Sequence, residues 1–384
     1  MKRLCVVVGS RANYSSIKSV MRAAKDHPQI ELQVVAAASA LLDRYGSVVN
    51  LIEQDGFEID ARVHMLVEGE TPHTMAKSTG LGLMELPTIF DYLKPDVVLT
   101  VGDRFETVAT AVAAAFMNIP LAHTMGGEVT GTIDESIRHA ITKFAHIHFP
   151  SSQGAAERII KLGEDPATVH VVGCPRMDLV AEILRKTNNG LDNGALYSGV
   201  GDPIDFDRPF VVLSQHSVTT EFGEGTAQIT ASLEAVGRTG LQAVVLWPNA
   251  DAGSEDIARG IRIWREQDKA DGMHFFKNLP IDTYVRLMAR TACLVGNSSS
   301  GIRDGAFIGT PAVNVGTRQV GRERGANVID VGYDPDEIHD AMERQIAHGR
   351  YDMDPIYGDG TAGQAITDTL ARTEQFTLQK RIAY

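Results

Sequence analysis

The apolar positions of this chain fall into two alternating patterns. Short continuous runs, too short for buried helices, recur between longer stretches whose apolar residues repeat every three or four positions. In the first half the runs predict strands at 4–8, 32–36, 97–101, 121–123 and 169–172. The periodic stretches predict helices at 15–25, 47–55, 74–93, 106–117, 133–145 and 154–162. Alternation of this kind implies βαβ units and a doubly wound parallel sheet. From Asn188 to Asp207 the rhythm fails: Asn-Asn-Gly, Asp-Asn-Gly and Gly-Val-Gly-Asp-Pro are turn formers with no apolar period. It restarts with strands expected at 210–213, 243–247, 293–296, 312–315 and 328–331. Helices are expected at 225–238, 254–267, 282–289, 300–307, 334–346 and 362–374. The pattern therefore predicts an α/β protein of two Rossmann-like domains, residues 1–187 and 209–361, joined by a linker at 188–208. The C-terminal segment 362–384 is expected to pack back on the first domain. Facing strand ends would leave a cleft suited to a nucleotide diphosphate bridged to a small group.

Composition narrows the function classes. A length of 384 residues exceeds one ordinary domain, in line with two. The formal net charge of -13 argues against a general nucleic-acid or membrane-surface binder, although a local basic pocket survives that argument. Cys5, Cys174 and Cys293 lack metal spacing and lie in or beside apolar runs, as buried cysteines of a reducing cytoplasm do. The chain enters a strand at once, and no apolar stretch is long enough to span a bilayer. The expectation is a cytoplasmic protein with no metal and no cofactor.

Candidate chemistry gathers where predicted strands end. Val101-Gly-Asp-Arg-Phe-Glu106 places Asp103 and Arg104 at one such end; Asp103 either caps the next helix or serves a ligand. About twenty residues later, His123-Thr-Met-Gly-Gly-Glu128 leads into Asp134-Glu-Ser-Ile-Arg-His139. Two glycines let the backbone approach a ligand or simply turn the chain. Acids at the front of a helix also suit its dipole, so Glu128, Asp134 and Glu135 divide between structural and chemical roles. His139 is open to either. Arg11, in Gly9-Ser-Arg-Ala-Asn-Tyr-Ser15, meets a phosphate or faces solvent; the segment matches neither a dinucleotide fingerprint nor a Walker loop. In the second half, His216 follows one strand and Asn249 the next. Gly296-Asn-Ser-Ser-Ser-Gly301 runs from a strand into a helix, an arrangement in which Ser298, Ser299 and backbone N–H groups bind a diphosphate. Gly316-Thr-Arg-Gln-Val-Gly-Arg-Glu-Arg324 adds local positive charge through Arg318, with Arg322 alternatively a surface residue.

Taken together, these segments resemble the UDP-N-acetylglucosamine 2-epimerase family, closest to its hydrolysing branch, which serves sialic-acid and legionaminic-acid type pathways. The resemblance runs in order through Arg11–Ser15, Gly102–Phe105, Gly126–Val129, Gly131–His139, His216 with Val218–Glu221, Trp247–Asn249, Gly296–Ser299 and Gly316–Gln319. It implies the glycosyltransferase-B architecture, a UDP-sugar substrate and a homo-oligomer, dimer or tetramer. It implies nucleotide-diphosphate positions at Arg11, Ser15, Arg104, His216, Asn249, Ser298, Ser299, Asp304 and Arg318, and acid/base positions at Asp103 and Asp134. Three residues depart from the family pattern. Met125 stands where many members have a catalytic Glu, Asp304 where a Glu often contacts the ribose, and Ser217 where a proline is frequent. Methionine transfers no proton, so the acid/base set implied is Asp103, Glu128 and Asp134, with Arg104 and His216 stabilising the leaving group. The reaction implied is loss of UDP from a UDP-N-acetyl-hexosamine through a glycal, then water addition to give the free manno sugar. A non-hydrolysing epimerase, a glycosyltransferase of the same architecture and a non-catalytic nucleotide-sugar binder are the alternatives.

Overall fold

The structure, a computed structural model, describes residues 1–43, 46–69, 71–130, 133–186, 199–248, 253–277 and 279–383. By compactness the chain divides into two units. One comprises Met1–Val129, Ile133–Leu179 and Gly358–Tyr384; the other comprises Val180–Tyr357 with Thr130–Thr132.

The first unit is built on six parallel strands: β1 (Lys2–Val8), β2 (Ile30–Ala37), β3 (Ala61–Val63), β4 (Val97–Val101), β5 (Leu121–Thr124) and β6 (Ile147–Phe149). Their order is β3-β2-β1-β4-β5-β6, so the chain reverses its winding between β1 and β4. In open α/β sheets ligands bind beside such a reversal, at the carboxyl ends of the strands. β4 is buried at every residue, which explains its sequence, apolar but for Thr100. Its helices cover both faces, and Leu86, Phe90, Val98, Ala111, Leu121 and Ile141 share one core.

Two differences from the expected strands have one physical origin. β6 (Ile147-His-Phe149) and, in the second unit, β10 (Met273-His-Phe-Phe276) each carry a buried histidine in a short run. The apolar pattern is interrupted there, although both segments pair fully with a neighbouring strand. The expected strand at 169–172 is not formed. Val169 alone makes a bridge, to His148 at the sheet edge, and the chain then turns through Gly173-Cys-Pro175.

The second unit orders seven strands as β13-β12-β11-β8-β9-β10-β7. These are β7 (Val200–Gly201), β8 (Phe210–Ser214), β9 (Gln242–Leu246), β10, β11 (Cys293–Gly296), β12 (Ala312–Val315) and β13 (Val328–Val331). All pairs are parallel except β10 with β7. Apolar cores lie on both faces, one around Val211, Val245, Trp264 and Val295, the other around Phe210, Phe276, Leu287 and Leu294. Of the expected linker, residues 188–198 lie outside the described residues.

The C-terminal segment is held in the first unit by polar contacts. Helix Ala362–Arg372 packs along helix Arg11–Asp26, and Asp178 accepts hydrogen bonds from Ala362 N (3.0 Å) and Gly363 N (2.6 Å) at its start. Lys2 Nζ donates to Leu370 O at 2.6 Å near its end. Beyond it, Lys380 donates to the carbonyls of Lys143 (2.9 Å) and Ala145 at the end of helix Asp134–Phe144. Lys380 also pairs with the buried carboxylate of Glu164 at 2.6 Å, as do Lys143 at 2.5 Å and His148 at 3.2 Å. Burial alone would raise the Glu164 carboxyl, but these donors outweigh it and hold the group down to about 2.

Glu164 is thus a stabilising anion with a defined pH window. Its folded pKa lies below the ordinary 4.5, so its contribution is complete above about pH 4.5 and is lost as the pH falls towards about 2. Glu164→Gln leaves two ammonium groups without their counter-charge. The expected cost is on the order of 3 kcal/mol, discounted for the partial exposure of Lys143. Denaturant unfolding at pH 7 and pH 3 checks this, with the gap between wild type and variant narrowing at the lower pH.

Candidate active site

In the first unit the candidate residues sit on two turns and one helix. The turn after β4 carries Asp103 and Arg104. Arg104 is itself the residue that precedes helix Phe105–Phe116, and no side chain caps that helix. Asp103 is therefore engaged elsewhere: its carboxylate accepts from Arg138 Nη2. The Arg104 Nε donates to Glu106 at 2.9 Å, and its guanidinium lies 5.8 Å from the Phe105 ring centre.

The turn after β5 carries Met125, Gly126, Gly127 and Glu128. Gly127 has φ +72, and a Cβ there would stand 2.2 Å from Ala155 O, so only glycine fits. Glu128 is buried, and its carbonyl accepts from Arg138 Nη1 at 2.6 Å. Asp134 and Glu135 lie in the first turn of helix Asp134–Phe144, where the helix dipole favours acids. His139 Nε2 pairs with Glu135 Oε1 at 2.9 Å, one turn along the same helix.

Arg138 joins these pieces. Its side chain is 1% exposed, and it contacts Asp103, the Glu128 carbonyl and Glu135 Oε2, the last at 3.1 Å. Burial opposes its charge, but Asp103, Glu128 and Glu135 more than compensate and raise its pKa. The sequence places Arg138 among the acids without assigning it a task. One signal is present: Arg138 falls on the same helix face as buried Ile141 and Thr142. Arg11 opens the helix after β1 and is exposed; Ser10 caps that helix through Asn13 N. Ser15 Oγ accepts from Arg176 Nη1 at 3.2 Å.

The second unit repeats the arrangement with a neutral hub. Asn297, wholly buried after β11, accepts from His216 N at 2.7 Å and donates to His216 O at 2.8 Å. Its own carbonyl accepts from Arg318 Nη1 (3.3 Å) and Gln319 Nε2 (2.9 Å). His216, Arg318 and the start of helix Ser299–Ile308 are thereby gathered at the ends of β8, β11 and β12. Ser298 caps this helix and shares a hydrogen bond with Ser300, which reaches Tyr284 OH at 2.5 Å. Ser299 is the first residue of the same helix. Asp304 is wholly buried within it, and Arg322 is buried too, not at the surface. Glu221 braces the facing loops, accepting from Tyr333 OH (2.7 Å), Gln228 Nε2 (2.6 Å) and Thr317 Oγ1. The sequence motifs contain Asn297 and Glu221 but assign neither. Asn249 lies outside the described residues.

Among the described residues no group of three or more His, Cys, Asp or Glu side chains could hold a metal ion, and no helix is long and apolar enough to cross a membrane. What the two hubs offer is fixed carboxylates in the first unit, and a cation beside a helix N-terminus in the second. Carboxylates of the first kind suit proton transfer, and a helix N-terminus with a cation suits a phosphorylated anion. The Arg138 hub is directly testable. Arg138→Met removes the buried guanidinium that two partly buried carboxylates share and is expected to cost about 3–5 kcal/mol of stability. Adding Asp103→Asn recovers part of that loss, measurable as a coupling in a double-mutant cycle.

Comparison with known proteins gives this arrangement a family. The UDP-N-acetylglucosamine 2-epimerase family profile matches residues 22–371. The UDP-N,N'-diacetylbacillosamine 2-epimerase (hydrolyzing) of Legionella pneumophila is 32% identical over 364 residues, covering 95% of this chain and 94% of that protein. The UDP-N-acetylglucosamine 2-epimerase of Neisseria meningitidis serogroup B is 28% identical over 376 residues, covering 98% and 94%. In fold, the chain is similar to the crystal structure of UDP-GlcNAc 2-epimerase from Neisseria meningitidis bound to UDP-GlcNAc. The TM-score is 0.82 at 18% identity, over 97% of this chain and all of that one. The α/β fold of two Rossmann-like domains is thus the glycosyltransferase-B type of such epimerases, and the chain belongs to the UDP-N-acetylglucosamine 2-epimerase family.

Proposed function

We propose that the protein is a hydrolysing 2-epimerase. Its substrate is a UDP-N-acetyl-hexosamine, either UDP-N-acetylglucosamine or UDP-2,4-diacetamido-2,4,6-trideoxyglucose, and its products are UDP and the free manno sugar. The observation that carries this reading is the Arg138 hub, which fixes Asp103 and the Glu128 backbone beside the helix that begins at Asp134. The likeness to the Legionella enzyme, named as hydrolyzing, supports release of free sugar.

In the first step a carboxylate of the first unit removes the proton at carbon 2. The C–H electron pair becomes the C1=C2 double bond as the C1–O bond breaks, and UDP departs. Arg318, His216, Arg104, and Ser298 and Ser299 at the start of helix Ser299–Ile308 take up the charge on the leaving diphosphate, with Arg11, Ser15, Asn249 and Asp304 completing the nucleotide site. In the second step water supplies hydroxyl to carbon 1, and an acid on the opposite face supplies the proton to carbon 2. The resulting inversion gives the manno configuration. Met125 carries no proton, so Asp103, Glu128 and Asp134 divide the base and acid roles.

Incubation with each UDP-sugar in D₂O, followed by NMR, is expected to show UDP and free manno sugar deuterated at carbon 2. Deuterated UDP-sugar in place of free sugar would establish the non-hydrolysing reading instead. Turnover of neither sugar, with UDP still bound, would favour a binding protein. Asp103→Asn and Asp134→Asn are each expected to lower kcat by about 10²–10⁴-fold while changing UDP affinity little. Near-normal rates in both variants would remove these residues from the chemistry.

A further inference from the structure

We propose that His123 is a positioning residue that locks together the two turns bearing Asp103 and Glu128, and that it transfers no proton itself. The inference rests on the acid/base reading above and goes beyond it, because it concerns a residue outside the acid/base set.

His123 lies in β5, wholly buried, and its Nε2 is 2.8 Å from the carbonyl of Gly102. A carbonyl only accepts, so Nε2 bears the hydrogen and Nδ1 is bare. The bond fixes the peptide immediately before Asp103. The other edge of the ring lies under the second turn: a Cβ at Gly126 would stand 2.9 Å from Nδ1 and 3.1 Å from Cε1. One imidazole therefore touches the backbone of both turns, across the β4–β5 pair.

The same geometry argues against proton transfer. Nδ1 is buried and has no hydrogen-bond partner among the described residues. The groups that act on the ring are His148 on β6, Arg138 on helix Asp134–Phe144 and Asp103 in the turn after β4. Burial lowers the imidazole to about 4, the Gly102 bond working in the opposite direction. The ring is therefore neutral through the range in which such an enzyme works. It acts as a wedge with one donor, and Gly126 is the space the wedge requires.

Three variants of the full chain test this. His123→Phe keeps a ring and loses the donor; His123→Gln keeps an N–H able to reach Gly102 O; Gly126→Ala crowds the ring without touching it chemically. With the sugar that the wild type turns over, His123→Phe is expected to lower kcat about 10²-fold with KM changed less than about threefold. His123→Gln is expected to regain most of that loss, and both limbs of the pH–rate profile should keep their wild-type positions. Disappearance of one limb in His123→Gln would make His123 a proton carrier and overturn the proposal. Hydrogen exchange supplies a readout that does not need turnover. His123→Phe and Gly126→Ala should both speed amide exchange in segments 102–106 and 125–129 relative to the rest of the unit. If exchange there is unchanged, the locking role is wrong. If the wild type turns over neither UDP-sugar, the functional reading fails, while the exchange result still decides the role of His123.

Discussion

A guanidinium that is 1% exposed cannot be left to itself, because moving such a charge out of water costs several kcal/mol even after relaxation. Arg138 meets that cost with partners drawn from three places: the turn after β4, the turn after β5 and its own helix. None of the three is free to move without exposing a buried charge to an unmatched environment. Helix Asp134–Phe144 is held at its far end by the converse device. There Lys380 binds the last carbonyls, and Glu164 gathers Lys380, Lys143 and His148. Acids at the start of the helix and ammonium groups at its end also agree with its dipole. The helix is thus fixed at both ends by electrostatics whose strength burial increases.

The turn after β11 in the second unit is held by a neutral side chain instead. The Asn297 carboxamide matches the peptide group of His216, donor to acceptor and acceptor to donor, and so satisfies buried polar groups at both residues. A neutral hub has an electrostatic consequence. The hub adds no negative charge beside Arg318 and the N-terminus of helix Ser299–Ile308, both favourable to a diphosphate. A carboxylate at position 297 would accept from His216 N but repel both His216 O and an arriving anion. Glu221 does carry charge, yet three donors occupy it: the hydroxyls of Tyr333 and Thr317 and the Gln228 amide.

The sequence discloses these sites unevenly, for physical reasons. Strands buried on both faces write themselves as mainly apolar runs, so 97–101, 293–296 and 312–315 read directly as β4, β11 and β12. Acids and serines placed just after such runs locate strand ends, and strand ends locate sites in this architecture. A buried histidine hides a strand: His148 and His274 interrupt β6 and β10, and the partners that make their burial tolerable, Glu164 and the Asp202 carbonyl, lie 16 and 72 residues away. Arg138 is hard to read for the same reason. Within a helix of mixed polarity an arginine reads as solvent-facing; its place on the apolar face is the one local signal, and its partner Asp103 lies 35 residues earlier. Asn297 and His216 are 81 residues apart. Residue types and strand ends are local information; which polar group neutralises which is not.

Met125 shows how far the backbone of this site is imposed by its surroundings. It is a non-glycine residue in the left-handed region, at φ +61, where the Cβ costs roughly 1–2 kcal/mol. Its N–H is held by Phe149 O at 3.0 Å, and its side chain is buried. Two residues on, Gly127 is held in the same region by Ala155 O and by Arg158, which donates to its carbonyl at 3.0 Å. The conformation at 125 is therefore set by β6 and by the helix Gln153–Lys161, not by the preference of the residue occupying it. A residue that supplies no proton can stand in this turn without loosening it. The chemistry at position 125 and the geometry of the turn are separable, and it is the geometry that keeps the Glu128 carbonyl on Arg138.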